Sequence, residues 1–272
     1  MNPLISICIP SYNNADYITE TISSVLNQTY QNFEIIIVDD CSKDNTVELI
    51  KSIADPRIKL VVNDTNLGMH GNWNKALSLG KGEYLKLLCG DDLIYPRCLE
   101  LQLKEFEKKE NQDVVMVACR RKVIRSDGKE SLGALYKLRP GKYNGKSAVK
   151  YCVSFGTNLI GEPMSVLFKA SVFRENNIVL GSNNYLIDLD MYFKLLKYGK
   201  LIVQNDYLAA FRIYNASMTS SLGLKHSKYF NEFISQKNMK ADFGVKWYHL
   251  FIGRILAFNI NIARNIILYL NK

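Results

Sequence analysis

The sequence predicts an α/β fold in which a mostly parallel central sheet is covered by helices on both faces. Three observations support this prediction: apolar runs of strand length alternate with helical patterns, the connections are short, and the runs are nearly continuous. Strands buried on both faces of a parallel sheet have such continuous runs. Of the 272 residues, 47% are hydrophobic and 22% are charged, which is typical of a globular protein.

Each predicted element follows from a local pattern, a short apolar run for a strand and apolar residues at the helical period for a helix. In the first half the predicted strands are 4–9, 33–38, 58–62 and 84–89, and the predicted helices are 16–28, 45–54, 71–79 and 96–109. The second half begins at 114–124 and is less regular, with a turn at 126–129, a short predicted strand at 165–169 and a predicted helix that contains 189–196.

Most of the net positive charge lies at the C-terminal end. Residues 223–272 contain eight Lys or Arg residues against two acids, in a chain of net charge +9. A basic segment can bind nucleic acid, anionic lipid or an acidic substrate. Because this segment has no Arg/Lys-rich run with interspersed aromatic residues, we expect no nucleic-acid partner.

Residues 250–270 are apolar-rich, but polar residues interrupt them too often for a membrane-spanning helix. On a helical wheel these residues form two faces. The apolar face contains Phe251, Ile255, Phe258, Ile262 and Ile266, and the polar, basic face contains Arg254, Asn261, Asn265 and Lys272. Such a helix suits a membrane interface. It could equally pack on the rest of the chain or on a second subunit, so the oligomeric state stays open.

The cysteines predict a reduced, cytoplasmic setting. Six cysteines have no framework spacing, several lie in apolar runs, and the first residues lead directly into a strand without a leader. The three histidines have no metal-binding spacing.

Two pairs of acids follow predicted strands. Asp91 and Asp92 follow strand 84–89, and Asp39 and Asp40 follow strand 33–38. Open α/β sheets bind ligands at the carboxyl ends of their strands, and adjacent carboxylates there can hold a hard divalent cation. The alternatives are a solvated turn for the later pair and helix capping for the earlier one, with Ser42 and Asp44 as further capping residues.

The turn after the first strand, Pro10-Ser11-Tyr12-Asn13, lacks the glycines of a dinucleotide-binding turn. Its aromatic ring and amide groups could instead hold a planar base, and Asp40 could accept a hydrogen bond from the imide N–H of uracil or thymine.

Five segments in order resemble family 2 inverting glycosyltransferases of the GT-A fold, as found in bacterial surface-polysaccharide synthesis. They are Ile9-Pro10-Ser11-Tyr12-Asn13, Ile37-Val38-Asp39-Asp40-Cys41-Ser42, Asn66-Leu67-Gly68, Gly82-Glu83-Tyr84 and Gly90-Asp91-Asp92. The resemblance covers about residues 3–215. It implies a catalytic domain over 1–215, with a nucleotide-binding half (1–110) and an acceptor-binding half (111–215), before a helical tail at 216–272.

The resemblance also implies roles for individual residues. Tyr12 would lie against the base in a pocket shaped by Pro10, Asp40 would bind the base, and Asp91 would approach the ribose or the water shell of the metal. Asp92 would ligate Mg²⁺ or Mn²⁺ on the donor diphosphate, where the cation neutralises the charge of the leaving group. The remaining implied donor-site residues are Asn13, Asn66, Gly68 and Arg212.

The catalytic base is implied by the segment that begins at Asp188, where Ile187 replaces the usual Glu. A carboxylate there could take the proton of the acceptor hydroxyl as it attacks the anomeric carbon, although Asp188 and Asp190 could also be ordinary first-turn acids. Gly161 and Glu162 resemble a segment on the acceptor side, with a simple turn as the alternative.

Two departures from the family pattern concern the donor site. Tyr214 stands where the family usually has a His that can reach the metal or diphosphate, and Trp73 stands where many members have Arg. Arg212 could still meet phosphate oxygens.

The sequence therefore predicts a metal-dependent inverting glycosyltransferase that uses a nucleotide-sugar donor, UDP-linked by resemblance, and a saccharide acceptor. The basic tail suggests a lipid-linked acceptor at the cytoplasmic face of the inner membrane, with the enzyme peripherally bound. The alternatives are a catalytically degenerate nucleotide-sugar-binding domain and a sugar-phosphate nucleotidyltransferase, whose Gly-rich, basic loop is missing here.

Overall fold

The computed structural model describes residues 2–125, 127–132, 137–181, 185–214, 225–235 and 238–270, without the side chains of 261 and 263–270. The strands are β1 Ile5–Ser11, β2 Phe33–Asp39, β3 Ile58–Val62, β4 Tyr84–Leu87, β5 Leu93–Ile94, β6 Val114–Ile124, β7 Glu130–Leu132, β8 Gly141–Asn144, β9 Val166–Lys169 and β10 Lys200–Arg212. The helices are α1 Ile18–Leu26, α2 Thr46–Lys51, α3 Gly68–Leu79, α4 Cys98–Glu107, α5 Gly145–Phe155, α6 Ala170–Glu175, α7 Ile187–Leu195, α8 His226–Ser235, α9 Met239–Phe243 and α10 Trp247–Leu270. Single 3₁₀ turns occupy Lys109–Asn111 and Pro163–Ser165.

The described strands form one sheet in the order β3-β2-β1-β4-β9-β6-β10-β5, with β7 beside β6 and β8 beside β10. The predicted parallel pairing holds for the first half, where β2 pairs with β3 and β1, and β1 pairs with β4. Ser11 at the end of β1 is level with Asp39 at the end of β2. The turns that follow β1, β2 and β4 therefore meet at one edge of the sheet.

The second half is mixed. β9 pairs antiparallel with both β4 and β6, while β10 runs parallel to β6 and antiparallel to β5 and β8. Antiparallel neighbours do not need the helical crossover of a parallel pair, so the strand–helix alternation that revealed the first half in the sequence is lost here.

Two apolar layers sandwich the sheet, which explains the continuous apolar runs. Ile36 and Val38 of β2 belong to one layer, and Ile35 and Ile37 to the other, all with no exposed surface. Successive residues of a strand point to opposite faces, so a strand covered on both sides needs apolar residues at every position.

The predicted tail packs on the same core. Phe233 of α8 and Phe243 of α9 lie against Phe193 of α7, with ring centroids 5.5 and 5.7 Å apart. Helix α10 packs on α5 through a small residue, Gly253: a Cβ added there would lie 1.9 Å from the carbonyl oxygen of Val153. The first half of this helix therefore packs on the rest of the chain, which is one of the alternatives that the sequence left open.

The predicted apolar face of α10 is nevertheless exposed. Phe251, Ile255, Phe258 and Ile262 are 59%, 49%, 58% and 42% exposed, because the small residues Gly253 and Ala257 form the packed face. Arg254 of the polar face is exposed, the side chains of Asn261, Asn265 and Ile266 are not described, and Lys272 lies outside the described residues. In the part of the chain that the structure describes, no helix has the length and apolar character needed to cross a bilayer.

Candidate active site

The turns after β1 and β2 hold each other in place. The backbone N–H of Asn13 donates to Ser42 Oγ over 2.9 Å, and the backbone N–H of Lys43 donates to Asn13 Oδ1 over 2.8 Å. Asn13 has a φ of +50°, a backbone region that asparagine tolerates better than most residues. Pro10 is buried beneath this turn, while Tyr12 is 46% exposed at its rim. The arrangement leaves the Tyr12 ring accessible to a ligand.

Asp39 and Asp40 are both buried, and they accept hydrogen bonds from different groups. Asp39 accepts hydrogen bonds from the backbone N–H and the hydroxyl of Ser42, so it shapes the turn. Asp40 Oδ1 accepts from Asn63 Nδ2 at 2.7 Å and from the backbone N–H of Leu67 at 2.8 Å.

The segment after β3 is thereby fixed beside Asp40. Asn66 donates to the Asp40 carbonyl, and the Gly68 N–H donates to Asn66 Oδ1. The predicted base-site residues Asp40, Asn66 and Gly68 are therefore neighbours. Of the predicted capping residues, Asp44 accepts from the N–H of Thr46 at the start of α2, whereas Ser42 binds Asp39 and not the helix.

Asp91, Asp92 and Cys89 form one cluster, in which one possible ligand atom from each residue lies within 4.8 Å of the others. Burial and the neighbouring Asp91 raise the pKa of Asp92 well above its usual range. Burial also raises the pKa of Asp91, against the opposing effect of the Tyr214 hydroxyl, which donates to Asp91 Oδ2 over 3.0 Å. Two buried carboxylates that repel each other have their ionised forms stabilised by a divalent cation.

The donor set of this cluster fits a hard cation. Burial and the charges of Asp92, Asp91 and Asp188 raise the pKa of the Cys89 thiol well above its usual value, so it stays protonated. A neutral thiol is a poor ligand for Mg²⁺ or Mn²⁺, whereas carboxylate oxygens suit both. Asp91 and Asp92 are therefore the protein groups here that could hold such an ion.

Arg212 contacts the acidic turn through both its backbone and its side chain. Its backbone N–H donates to Asp92 Oδ1 over 3.0 Å, its Nε donates to the Asp91 carbonyl, and its terminal nitrogen binds Glu20 at 2.6 Å. The guanidinium also lies over the ring of Tyr17. The expected contact of Arg212 with phosphate stays a prediction; in this structure the side chain binds Glu20 and the Asp91 carbonyl.

Asp188 lies at the start of α7, where its carboxylate accepts two hydrogen bonds of 2.7 Å. The backbone N–H of Leu189 donates to Oδ1, and Asn158 Nδ2 donates to Oδ2. Burial outweighs both contacts and raises the pKa of Asp188 to about 6. A carboxylate with such a pKa is well suited to accept a proton near neutral pH.

The residues beside Asp188 have structural explanations. Ile187 is 2% exposed and packs in the core, so an apolar side chain fits the position where the family has Glu. Asp190 is buried, binds Lys194 at 2.7 Å and accepts from the N–H of Gly181. Asp190 therefore stabilises the fold locally, as the alternative interpretation of these acids expects, while Asp188 has a different environment.

Asn158 connects the acceptor-side segment to Asp188. Its Nδ2 also donates to the Gly161 carbonyl, and its Oδ1 accepts from the N–H groups of Ile160 and Gly161. Gly161 has a φ of +133°, a conformation that favours glycine. Glu162 forms an ion pair with Arg121 of β6. Sequence reasoning missed Asn158 and Arg121, because their partners lie 30 and 41 positions away and neither sits in a motif.

The other sequence predictions concern Trp73 and the cysteines. Trp73 is 7% exposed in one of the core layers, so no donor contact replaces the missing Arg at that position. All six cysteines are free thiols, and Cys8, Cys98, Cys119 and Cys152 are buried, as predicted.

Comparisons with known proteins show the family to which the chain belongs. The model of glycosyl transferase family 2 matches residues 6–161. An uncharacterized glycosyltransferase of Rickettsia typhi is 32% identical over 220 residues, which are 81% of this chain and 67% of the relative.

Two solved structures share the fold. S. aureus TarS in complex with UDP-GlcNAc has a TM-score of 0.68 at 17% identity, over 96% of this chain and 72% of TarS. A mannosyltransferase from Pyrobaculum calidifontis in complex with GDP-Man and Mn²⁺ has a TM-score of 0.64 at 15% identity, over 97% of this chain and 74% of that one. The chain is therefore a glycosyltransferase of family 2 with the GT-A fold.

Proposed function

We propose that this chain transfers a sugar from a nucleoside-diphosphate donor to a hydroxyl group of a saccharide acceptor, with inversion at the anomeric carbon. In this proposal Asp91 and Asp92 hold a divalent cation, and Asp188 removes the proton of the attacking hydroxyl. The reaction breaks the bond between the anomeric carbon and the diphosphate oxygen and forms the new glycosidic bond in a single displacement.

The observation that carries the proposal is the grouping of three carboxylates around Cys89. Asp91, Asp92 and Asp188 all raise the pKa of the Cys89 thiol through their charges, so the proposed base and the proposed cation-binding pair lie near the same thiol. A bound Mg²⁺ or Mn²⁺ would neutralise charge on the departing diphosphate. Asp188, held by Asn158 and by the Leu189 N–H, keeps its carboxylate oriented for the proton.

The environment of Asp188 favours an active enzyme over a degenerate nucleotide-sugar-binding domain. The pKa of Asp188, raised to about 6 by burial, makes the carboxylate a better base than an exposed aspartate while leaving it ionised at neutral pH. A protein that only bound the donor would gain nothing from this costly burial.

A uridine donor is the nucleotide we propose. Tyr12, on the rim of the β1 turn, would stack on the base, and Asp40 would bind its imide N–H from the adjoining turn. The structural relatives were solved with both UDP-GlcNAc and GDP-Man, so a guanosine donor is the alternative to be tested. Pro10, Asn13, Asn66 and Gly68 would shape this pocket through the turns that they fix.

A second candidate function is contact with a membrane surface through α10. Its exposed residues Trp247, Phe251, Ile255, Phe258 and Ile262 follow one another at helical spacing along one side, and the helix lies in the most basic part of the chain. An apolar stripe with nearby cations is suited to an anionic bilayer. We propose that this contact holds the enzyme peripherally at the cytoplasmic face of a membrane, where a lipid-linked acceptor would be presented.

The proposed transfer is tested by measuring thermal stability against a panel of uridine, thymidine and guanosine diphosphate sugars, with and without Mn²⁺. A ligand at a hundredfold excess over its dissociation constant stabilises the fold by about 2.7 kcal/mol, so the correct donor stands out. Slow release of the nucleoside diphosphate from that donor should then accompany binding. Stabilisation by none of the nucleotide sugars would contradict the proposal.

A further inference from the structure

A group of buried polar atoms lies beside the acceptor segment without a partner in the described part of the chain. Lys137 Nζ, Arg121 Nη1 and Ser165 Oγ are each shielded from solvent and make no hydrogen bond. A Cβ built on Gly161 would lie 3.7 Å from Lys137 Nζ and 3.3 Å from Ser165 Oγ. The two side chains therefore meet at the Gly161 backbone, whose carbonyl and N–H are held by Asn158.

The charges at this point do not balance. Arg121, 6% exposed, is paired with Glu162 through two of its nitrogens and keeps the third free. Lys137 forms no ion pair with a carboxylate among the described residues. Asp92 also acts on Arg121 through its charge, so Lys137 is the cation here that lacks a carboxylate partner among the described residues. Burial and the nearby Arg121 lower the pKa of Lys137 to about 7, as expected for an ammonium group that lacks a counterion.

An unpaired buried cation is costly, and proteins rarely keep one without a use. A phosphate or carboxylate group placed between Lys137 and Arg121 would remove both costs, since it would accept hydrogen bonds from the free nitrogens and supply the missing charge. Ser165 Oγ could donate a further bond to the same group.

The location indicates which substrate would bring this anion. Lys137 approaches Gly161, and Gly161 is bound by Asn158, which also binds the proposed base Asp188. The proposed donor contacts are at Tyr12, Asp40 and the Asp91–Asp92 pair, in the turns after β1, β2 and β4. Since the base must touch the acceptor hydroxyl, the group beside Lys137 belongs to the acceptor.

We propose that Lys137 and Arg121 form a pocket for an anionic group on the acceptor, so that the enzyme selects an acidic saccharide, either phosphorylated or carrying a carboxylate. This inference rests on the proposed function, because it assigns the pocket to the acceptor of that reaction. It adds a specificity determinant that the donor-site residues do not supply.

The test uses three probes on the full chain with UDP and Mn²⁺ present: inorganic phosphate, glucuronate and the neutral methyl glucoside. We expect calorimetric binding of phosphate, glucuronate or both, and none of the methyl glucoside. Phosphate alone would point to a phosphorylated acceptor, and glucuronate alone to an acidic sugar. The same titrations are repeated without UDP; anion binding that appears only in its absence would place the pocket in the donor site and overturn the inference.

The variant Lys137→Met removes the charge and keeps an unbranched side chain. We expect anion binding to weaken at least about tenfold, the loss of one charged hydrogen bond, and the thermal midpoint without anion to be unchanged or raised. Lys228→Met, at a position whose side chain is 73% exposed, is the control and should bind the anion like the wild type. If Lys137→Met bound it equally well, the inference would be wrong.

The two proposals fail in different ways. Absence of UDP binding to the wild-type chain contradicts the proposed function itself. Binding of UDP with Mn²⁺, but of neither phosphate nor glucuronate, contradicts only the anion pocket.

Discussion

Asn158 Nδ2 donates a hydrogen bond of 2.7 Å to Asp188 Oδ2 and another of 2.9 Å to the carbonyl oxygen of Gly161. One amide thus fixes the orientation of the proposed base and the backbone of the acceptor-side segment. The hydrogen bond to Asp188 stabilises the ionised carboxylate and so opposes the effect of burial on its pKa. Asn158 is a positioning residue because it acts through these two partners.

Replacing Asn158 should shift the pH dependence of transfer. In Asn158→Ala the carboxylate of Asp188 loses a stabilising donor, so its pKa rises and the acid limb of kcat/KM moves upward by about one pH unit, the value of one hydrogen bond to a charged group. The profile is measured from about pH 5 to about pH 9, a range that includes the pKa of about 6 at Asp188. Asn176→Ala, which removes a local contact to the Val172 carbonyl, is the control. An unshifted acid limb would mean that Asn158 does not tune the base.

The variant Asp188→Asn should lose glycosyl-transfer activity and gain thermal stability at neutral pH. Removing a general base lowers rates by about 10²–10⁴-fold, whereas donor binding with Mn²⁺ should persist. The folded protein has a pKa of about 6 at Asp188 against an ordinary value of 3.8. The folded state therefore holds more protons between these values, and the ionised carboxylate costs stability above pH 6.

The thermal midpoint of Asp188→Asn should accordingly exceed that of the wild type at pH 7, and the difference should shrink as the pH falls through 6 toward 4. Parallel melting curves of both proteins at several pH values measure it. A variant that is less stable at pH 7 would argue that Asp188 has a structural role.

Metal binding should require the Asp91–Asp92 pair. Because burial and Asp91 raise the pKa of Asp92, loading of Mn²⁺ should release protons and weaken as the pH falls. Asp92→Asn should abolish the Mn²⁺-dependent thermal stabilisation seen with UDP, while Asp64→Asn, at an exposed position, should retain it. Unchanged Mn²⁺ dependence in Asp92→Asn would remove Asp92 from the ligand set.

Replacing Gly253 with alanine should destabilise the fold, although this substitution usually stabilises a helix. Alanine is favoured over glycine in helix interiors by about 1 kcal/mol, yet a Cβ at Gly253 would lie 1.9 Å from the Val153 carbonyl oxygen. Gly253→Ala should therefore lower the free energy of unfolding by about 1–3 kcal/mol, the usual cost of overpacking. Arg254→Ala, on the exposed side of α10, should change it little. Denaturant unfolding curves compare the two, and a stabilised Gly253→Ala would contradict the packing of α10 on α5.

The exposed stripe of α10 should control membrane binding. The double variant Phe251→Asp, Phe258→Asp removes two apolar side chains and adds two negative charges, so its partition onto phosphatidylglycerol vesicles should fall by roughly tenfold or more. Val179→Asp, at an equally exposed apolar position on another surface, is the control. Sedimentation with vesicles measures the bound fraction. Equal binding of the double variant and the wild type would exclude this stripe as the contact.

The sequence alone predicted the elements of the first half closely, and β3 matches its predicted bounds residue for residue. Strands such as β2 have long apolar runs because both faces of the sheet are covered. That local pattern can be recognised in the sequence alone. The turn residues Asp40, Asp91 and Asp92 could be recognised for the same reason, since Asp40 directly follows β2 and the other two lie in the turn after β4. Asp188 was reachable only through resemblance to a family, because an acid in the first turn of a helix is common on its own.

The chain order of strands and acids was thus determined by the sequence itself, through local periodicity and the turn chemistry at strand ends. Only the tertiary structure decided how distant residues act on one another: Asn158 on Asp188, Arg121 on Glu162, and Arg212 on Glu20 and the acidic turn. These contacts depend on how β6, β10 and α7 pack near Asp188 and the acidic turn. A local sequence pattern does not indicate a partner that lies tens of residues away. The buried charge of Lys137 is of the same kind, because burial is a property of the assembled fold.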